Sequence, residues 1–173
     1  MKVLRKIGSG GISDVYHVAN GDQNYAFKTL NHFKSSDDKA QLRLKNEYYT
    51  LKRIEHENII KCINWIRLKN REGILMELFE GVELNKLSGQ KLSNEIFMKI
   101  EEAIIYINEM QPPIFHNDIT EKNILISRDG KIRIIDFSMS YSGGLNYHNM
   151  DNKNCLGCDR PKLEIIRTKY FKR

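Results

Sequence analysis

Apolar and polar residues alternate with the two-residue period of β-strands over the first thirty positions. The pattern predicts strands at residues 2–8 and 14–19, joined by a glycine-rich loop. Asn20-Gly21 is a strong hairpin signal, because both residues tolerate the left-handed backbone of a tight turn. We therefore predict a third strand at residues 23–30, antiparallel to the second.

From Ser36 the spacing of apolar residues becomes helical, and Ser35, Ser36 or Asp37 could cap the helix. The predicted apolar stripe comprises residues at three- and four-residue steps: Leu44, Tyr48, Leu51 and Ile54. Two further strands are predicted at residues 59–68 and 73–79, around a turn at Asn70-Arg71-Glu72-Gly73.

After Gly81 the pattern is helical again, and a helix over residues 94–110 ends before Pro112-Pro113. Two short strands, 124–127 and 131–135, flank a turn at Arg128-Asp129-Gly130. Five strands with one inserted helix, followed by a helix, a polar loop and a hairpin, indicate an α+β fold with a sheet lobe and a helical lobe.

Composition is that of a soluble globular protein, with 40% hydrophobic and 29% charged residues among 173. Such a length suits one domain or two small lobes. We see no apolar stretch that could span a membrane and no signal-peptide pattern, so we expect no membrane association and a cytoplasmic protein.

The net charge of +6 favours an anionic partner, which could be nucleotide phosphate, nucleic acid or an acidic protein. The basic stretch at residues 167–173 is predicted to be a solvated terminus, with nucleic-acid contact as the alternative. The pair Cys155 and Cys158 could be half of a zinc site, but a complete site needs about four ligands and only His148 lies near the pair in sequence. We therefore expect ordinary thiols and no metal there.

Three polar features stand out against this pattern. Residues 116–123, His-Asn-Asp-Ile-Thr-Glu-Lys-Asn, lie between two apolar stretches and place Asp118 and Asn123 five residues apart. Gly8 and Gly10 belong to a loop whose N–H groups could cradle a phosphate. Lys28 lies in an apolar strand and Glu47 on the apolar stripe of the first helix, so we predict that these two charges pair.

These residues resemble the eukaryotic-type protein kinase family, because seven motifs occur in the family's order. They are Gly8-x-Gly10-x-x-Ser13-x-Val15, Tyr25-Ala26-Phe27-Lys28, Glu47, His56-Glu57-Asn58-Ile59-Ile60, the hinge-like run Leu75 to Leu84, His116-Asn117-Asp118 through Asn123, and Asp136-Phe137-Ser138. The resemblance implies a kinase-like two-lobe fold within a single domain over residues 1–173. The N-lobe would cover about 1–79, the hinge about 77–84 and a reduced C-lobe about 85–173.

The resemblance also implies ATP and Mg²⁺ as cofactors and a role for each matching residue. Asp118 would accept the proton of the substrate hydroxyl, and Asn123 and Asp136 would hold Mg²⁺. Lys28, oriented by Glu47, would contact the α- and β-phosphates, while His116 would pack against Phe137. The glycines Gly8 and Gly10 would cover the phosphates, and an adenine slot is implied at five apolar positions: Ile7, Val15, Ala26, Met76 and Leu125. The backbone of Glu77 and Phe79 would bond the adenine edge, and Glu83 the ribose.

Some positions depart from the family pattern. Asn117 replaces the arginine that pairs with an activation-loop phosphate, so we expect no control by such phosphorylation. Of the 173 residues only 37 follow Asp136, which implies a minimal C-lobe like that of Rio-type kinases and of the small kinase in the tRNA-modifying KEOPS complex.

The leading hypothesis is an ATP-dependent kinase that phosphorylates Ser or Thr of a protein. Three alternatives remain. They are a kinase-like ATPase or switch inside a complex, a small-molecule phosphotransferase, and a pseudokinase that only binds partners.

Overall fold

The computed structural model describes residues 1–87, 92–142 and 159–171. These residues form two compact units. The first unit comprises Met1–Glu55 and Ile60–Phe79, and the second comprises His56–Ile59 and the described part of Glu80–Arg173. The predicted α+β class is confirmed, whereas the predicted domain limits stay a prediction.

The first unit is a five-stranded antiparallel sheet with one α-helix. The strands lie in the order β1-β2-β3-β5-β4, so β1 and β4 are the edges. The elements are β1 (Lys2–Ser9), β2 (Ser13–Asn20), β3 (Gln23–Leu30), a 3₁₀ turn (His32–Lys34), α1 (Asp38–Arg53), β4 (Cys62–Leu68) and β5 (Arg71–Glu77). All five strands and the helix were predicted from the hydrophobic pattern, with boundaries shifted by up to three residues.

One predicted turn in this sheet is wrong. The β4–β5 connection consists of Lys69 and Asn70, which have φ of 46° and 59°. Arg71, Glu72 and Gly73 pair with β4 instead of forming the turn. The two-residue connection matches the right-handed twist of the flanking strands, so it displaces the longer turn that the polar run indicated.

Helix α1 begins at Asp38 and not at Ser36, because Asp37 is the residue that caps it. The Asp37 carboxylate accepts a hydrogen bond from the Ala40 N–H at 3.0 Å. A side-chain oxygen at this position satisfies one of the N–H groups that the first turn leaves without a partner. The buried face of the helix carries Leu44, Glu47 and Leu51, so a carboxylate lies in the apolar stripe as predicted.

The second unit combines two α-helices with two small sheets, ordered β6-β8-β9 and β10-β7. Its elements are β6 (Val82–Glu83), a 3₁₀ helix (Leu84–Leu87), α2 (Asn94–Glu109), β7 (Ile114–Phe115), a 3₁₀ helix (Glu121–Asn123), β8 (Ile124–Ile126), β9 (Ile132–Ile134), β10 (Tyr141–Ser142) and α3 (Asp159–Tyr170). Buried residues on α2 and on the strands form its interior: Ile100, Ile104, Ile107, Ile114, Ile124, Ile132 and Ile134.

Two predictions for the second unit are wrong. The chain after Gly81 first forms strand β6, and only then becomes helical. The basic terminus is not simply solvated, because residues 167–170 form the last turn of α3 and the side chains of Tyr170 and Phe171 are buried. Helix α3 was missed, although Leu163, Ile166 and Tyr170 carry the spacing of a buried helical stripe.

Within the described ranges, no helix is both long and apolar enough to cross a bilayer. Cys155, Cys158 and His148 lie outside the described residues, so the zinc and thiol interpretations of that pair stay predictions. Cys62 is a free buried cysteine on β4, and burial raises the pKa of its thiol to about 11.

Replacement of Gly73 by alanine should strongly destabilise the first unit. A Cβ at this position would lie 2.1 Å from the backbone oxygen of Lys28, so strands β3 and β5 would have to separate. Overpacking of this kind costs about 1–3 kcal/mol of unfolding free energy. The matched control is Gly11→Ala, whose Cβ would meet no atom within 4 Å. Thermal unfolding should show a clear drop for Gly73→Ala alone, and equal midpoints for the two variants would contradict the packing described.

Candidate functional site

The predicted ion pair between Lys28 and Glu47 is present in the first unit. The Lys28 Nζ lies 2.7 Å from Oε1 of Glu47 and 2.7 Å from Oε2. The two side chains are 7% and 1% exposed, so the pair is almost fully removed from water. Because the residues are 19 positions apart, this contact fixes α1 against β3.

Burial makes the two charges dependent on each other. Removal of two ions from water is costly, and their mutual attraction offsets this cost only when both partners are present in good geometry. A lysine whose ammonium is held by both oxygens of one carboxylate has a defined position. This pair can therefore present the Lys28 ammonium to an anionic ligand at a fixed position.

The glycine-rich loop between β1 and β2 is braced from the end of β3. Gly10 N–H donates to Ser13 O at 2.8 Å, which closes the loop on itself. Asn31 holds the other side, because its N–H donates to Ile12 O at 3.0 Å and its Nδ2 donates to Gly11 O at 3.2 Å. These bonds turn several loop carbonyls towards Asn31, a contact that the sequence did not predict.

Asp14, which lies on β2 directly after this loop, is a second residue whose contacts the sequence did not predict. It is buried. Ser9 Oγ donates to Asp14 Oδ1 at 2.9 Å, and Lys6 Nζ lies 2.6 Å from the same oxygen. Burial by itself would raise the pKa of the Asp14 carboxyl, but the hydrogen bonds from Lys6 and Ser9 outweigh it and lower the pKa. Asp14 is thus a charged brace for the two strands that carry the loop.

Four of the five apolar residues predicted to line an adenine slot lie in the first unit, and only two of these four are buried. Ala26 and Met76 are buried and face each other across strands β3 and β5. Val15 is half-buried, and a Cβ on Gly8 would lie 3.5 Å from its Cβ. Ile7 is 39% exposed, so its side chain is not part of the core.

The hinge residues Glu77 and Phe79 are half-buried. The Glu77 N–H donates to Lys61 O at 3.0 Å, and the Lys61 N–H donates to Glu77 Oε1 at 2.9 Å. Because its N–H is used within the sheet, Glu77 would contact a ligand through its backbone carbonyl.

In the second unit, His116 is fully buried and packs against Phe137 with ring centroids 4.5 Å apart, as predicted. Its Nδ1 lies 3.2 Å from the Asp118 N–H, and its Nε2 lies 3.1 Å from Ile135 O. Both bonds are satisfied by one neutral form, in which Nδ1 accepts and Nε2–H donates. The ring therefore links the loop that contains Asp118 to the end of β9.

Burial lowers the pKa of His116, although the nearby carboxylate of Asp159 acts in the opposite direction. The folded protein therefore binds fewer protons at this site than the unfolded chain. The His116 contribution to stability is present above the ordinary histidine value of 6.5 and is lost as pH falls below it.

Asp118 and Asn123 are brought together by two hydrogen bonds. The Asn123 Nδ2 donates to the Asp118 backbone oxygen at 2.8 Å and to Asp118 Oδ2 at 3.0 Å. With its amide nitrogen used in this way, Asn123 directs its Oδ1 elsewhere. The two hydrogen bonds therefore close the loop between Asp118 and Asn123, which accounts for their five-residue spacing.

Asp136 follows β9, and its backbone is left-handed with φ of 64°. The preceding residue, Ile135, donates its N–H to Asn123 O at 2.9 Å, which connects Asp136 to the loop of Asp118. Ser138 N–H lies 3.4 Å from Asp136 Oδ1, a long contact. The amide oxygen of Asn123 and the carboxylate of Asp136 are hard oxygen donors of the kind that Mg²⁺ prefers, so the donor set fits that ion.

In the described parts of the chain, no group of three or more His, Cys, Asp or Glu residues is arranged so that it could hold a metal ion. Two further predicted residues meet in the second unit, because Glu83 on β6 pairs with Leu125 on β8. Lys86 Nζ lies 3.1 Å from Glu83 Oε1. The roles of all these residues towards a nucleotide stay predictions.

Asp159, at the start of α3, is a functional candidate that the sequence analysis missed. Its side chain is 1% exposed, and its Oδ2 and Oδ1 accept the N–H groups of His116 and Asn117 at 2.9 and 3.0 Å. Lys162, one turn further along α3, donates from Nζ to Asn117 O. The first turn of α3 therefore holds the loop of Asp118 through its backbone.

The Lys28–Glu47 pair should behave as one unit in stability measurements. Lys28→Met and Glu47→Leu each leave one buried charge without its partner, which costs about 3–5 kcal/mol of unfolding free energy. The double variant leaves no buried charge, so its loss should be clearly smaller than the sum of the two single losses. Denaturant unfolding of the four proteins measures this coupling. Additive losses would show that the charges do not depend on each other.

Asp159→Asn should loosen the loop of Asp118. Asparagine has one acceptor oxygen in place of two, so one of the N–H groups of His116 and Asn117 loses its bond to a charged group, worth about 1.5–3 kcal/mol. Hydrogen exchange at the amides of His116 and Asn117 should become faster. Asp129→Asn, which removes an exposed carboxylate, is the control and should leave these two amides unchanged. If the two amides exchange as slowly in Asp159→Asn as in the wild type, Asp159 does not hold the loop of Asp118.

Comparison with known proteins agrees with this geometry. The family model "Protein kinase domain" matches residues 1–155. Serine/threonine-protein kinase tousled-like 1 of Homo sapiens is 32% identical over 154 residues, which cover 80% of this chain and 20% of the relative. The probable serine/threonine-protein kinase PknB of Lactococcus lactis is 27% identical over 146 residues, 80% of this chain and 23% of the relative.

The chain thus spans about a fifth of the length of the curated relatives that it matches. The match covers the sheet of the first unit, the Lys28–Glu47 pair, the loop of Asp118 and Asn123, and Asp136. The predicted family and the fold class that it implies are both confirmed, and the chain belongs to the protein kinase domain family.

Proposed function

We propose that this protein is an ATP- and Mg²⁺-dependent kinase that transfers the γ-phosphoryl group to a serine or threonine hydroxyl of a protein. The observation that carries the proposal is the closed loop of the second unit, in which Asn123 holds the Asp118 carboxylate at 3.0 Å. The printed names of the relatives, which are serine/threonine-protein kinases, support the choice of acceptor.

The reaction needs an attacking hydroxyl oxygen, a γ-phosphorus atom and a leaving ADP oxygen. ATP supplies the phosphoryl group, and Mg²⁺ neutralises charge on the phosphates when it is bound. The hydroxyl oxygen forms the new bond to phosphorus, the bond to the ADP oxygen breaks, and the hydroxyl proton passes to a base. Protein side chains position and neutralise these groups and form no covalent intermediate.

Asp118 is the residue that would take the hydroxyl proton. Asp118 is half-buried and not sealed in the core, and the bond from Asn123 to Oδ2 fixes the orientation of its carboxylate. Its backbone N–H donates to His116 Nδ1, and His116 itself is held by Asp159. A base positioned by its neighbours in this way is suited to general-base catalysis.

The remaining roles follow from charge and burial. Lys28 would contact the α- and β-phosphates, because Glu47 fixes its ammonium without removing its charge. Asn123 Oδ1 and the Asp136 carboxylate would hold Mg²⁺. The glycine loop, braced by Asn31 and Asp14, would cover the phosphates with its backbone.

Asp118 should be needed for transfer but not for nucleotide binding. Asp118→Asn keeps an acceptor for the Asn123 amide but removes the base, so kcat should fall by a factor on the order of 10² to 10⁴. ATP affinity should change little, because the lost interaction belongs to the transition state. Radiolabelled ATP with a cell extract as acceptor measures transfer, and a fluorescent ATP analogue measures binding.

Two further variants sharpen this experiment. Asp136→Asn should instead weaken Mg²⁺-dependent ATP binding, and Asp129→Asn, at an exposed turn carboxylate, should leave both measurements unchanged. Undiminished transfer by a folded Asp118→Asn protein would contradict the catalytic role. Label in small molecules but not in protein would favour a small-molecule phosphotransferase.

A further inference from the structure

The tip of the glycine-rich loop, residues 10–12, is held mainly by hydrogen bonds. Gly10 and Gly11 are exposed, and a Cβ on Gly11 would meet no atom within 4 Å, so the tip has little packing to fix it. In the described part of the chain, three hydrogen bonds reach the tip from outside the loop, and all three start at Asn31. Asn31, directly after β3, is therefore the residue that holds the tip.

The Asn31 side chain uses its two ends for two different segments. The Lys34 N–H donates to Asn31 Oδ1 at 3.1 Å, which caps the 3₁₀ turn His32–Lys34. Asn31 Nδ2 donates to Gly11 O at 3.2 Å and lies 3.5 Å from Gly10 O. Because the turn offers a donor and the loop offers acceptors, a single orientation of the amide satisfies both ends. The side chain thus joins the tip of the loop to the turn after β3.

The bonds to these carbonyls also determine where the neighbouring N–H groups point. In a planar trans peptide the C=O and the N–H point in opposite directions. Because the oxygens of Gly10 and Gly11 face Asn31, the N–H groups of Gly11 and Ile12 face away from it. Neither of these N–H groups donates to a backbone oxygen within the described residues. Successive backbone N–H groups directed to one side can bind a phosphate oxygen.

We propose that Asn31 is a positioning residue for the phosphates of ATP. It holds the tip of the loop so that the N–H groups of Gly11 and Ile12 are already oriented for a phosphate when the nucleotide binds. A loop that is held in its binding conformation loses less conformational freedom on binding, which favours affinity. Asn31 acts through the loop, so it favours nucleotides with phosphates over adenosine alone. This inference rests on the proposed function.

The variant Asn31→Ser separates the bond to the loop from the cap of the turn. Serine is a favoured capping residue and can still accept the Lys34 N–H, but its side chain is too short to reach Gly11 O. Mg·ATP should bind about fivefold to tenfold more weakly, which is the effect of one lost hydrogen bond. Adenosine has no phosphate, so its affinity should stay within about twofold of the wild-type value. Titration calorimetry measures both affinities.

Two further variants serve as controls. Asn31→Ala loses the cap as well as the bond to the loop, and it should weaken Mg·ATP binding by the same factor as Asn31→Ser. Asn24→Ser removes an exposed asparagine at the opposite end of β3 and should leave both affinities unchanged. Hydrogen exchange at Gly10, whose N–H donates to Ser13 O, should become faster in both Asn31 variants and not in Asn24→Ser. Thermal unfolding checks that each variant is folded.

The same titrations can overturn the proposal. If Asn31→Ser binds Mg·ATP as tightly as the wild type and only Asn31→Ala binds weakly, Asn31 is no more than a cap. Equal weakening of Mg·ATP and adenosine would show a general disturbance of the first unit and would also refute the positioning role. A wild-type protein that binds neither ligand contradicts the proposed function itself, whereas normal wild-type binding with an unaffected Asn31→Ser contradicts the role of Asn31 alone.

Discussion

Lys28 and Glu47 are both buried, and neither charge could remain in an apolar interior without the other. Their contact therefore requires that α1 and β3 keep one relative position. Strand β3 is held in turn by β2 and β5 on its two sides, so the position of one ammonium group depends on most of the sheet. The apolar packing of Val18, Phe27 and Leu75 supports the sheet, whereas the ion pair determines where the helix lies on it.

The second unit also contains a buried charge, the carboxylate of Asp159, whose partners are backbone amides. Asp159 is buried and accepts two consecutive N–H groups, and such hydrogen bonds to a carboxylate are among the strong ones. The same bonds fix the loop that carries Asp118. In both units a buried charge thus determines the position of a residue to which the proposed reaction assigns a role.

Much of the fold could be predicted, because the strands and the first two helices carry regular hydrophobic periods. The Lys28–Glu47 pair could also be predicted, since each residue is a charge at an apolar position. Asp159 could not, because its partners are backbone N–H groups 42 and 43 residues away, and such groups leave no sequence signature.

Asn117, which departs from the family pattern, suits the backbone conformation that its position requires. Its φ is 64°, a left-handed conformation that costs most residues about 1–2 kcal/mol and that asparagine tolerates better than most. The loop holds this conformation through the bond from Asn117 N–H to Asp159 and the bond from Lys162 to Asn117 O. The short side chain adds a third bond, because Asn117 Nδ2 donates to Met139 O at 3.2 Å. Asparagine at this position suits the geometry that places Asp118, since it tolerates the backbone and ties the loop to the segment after Asp136.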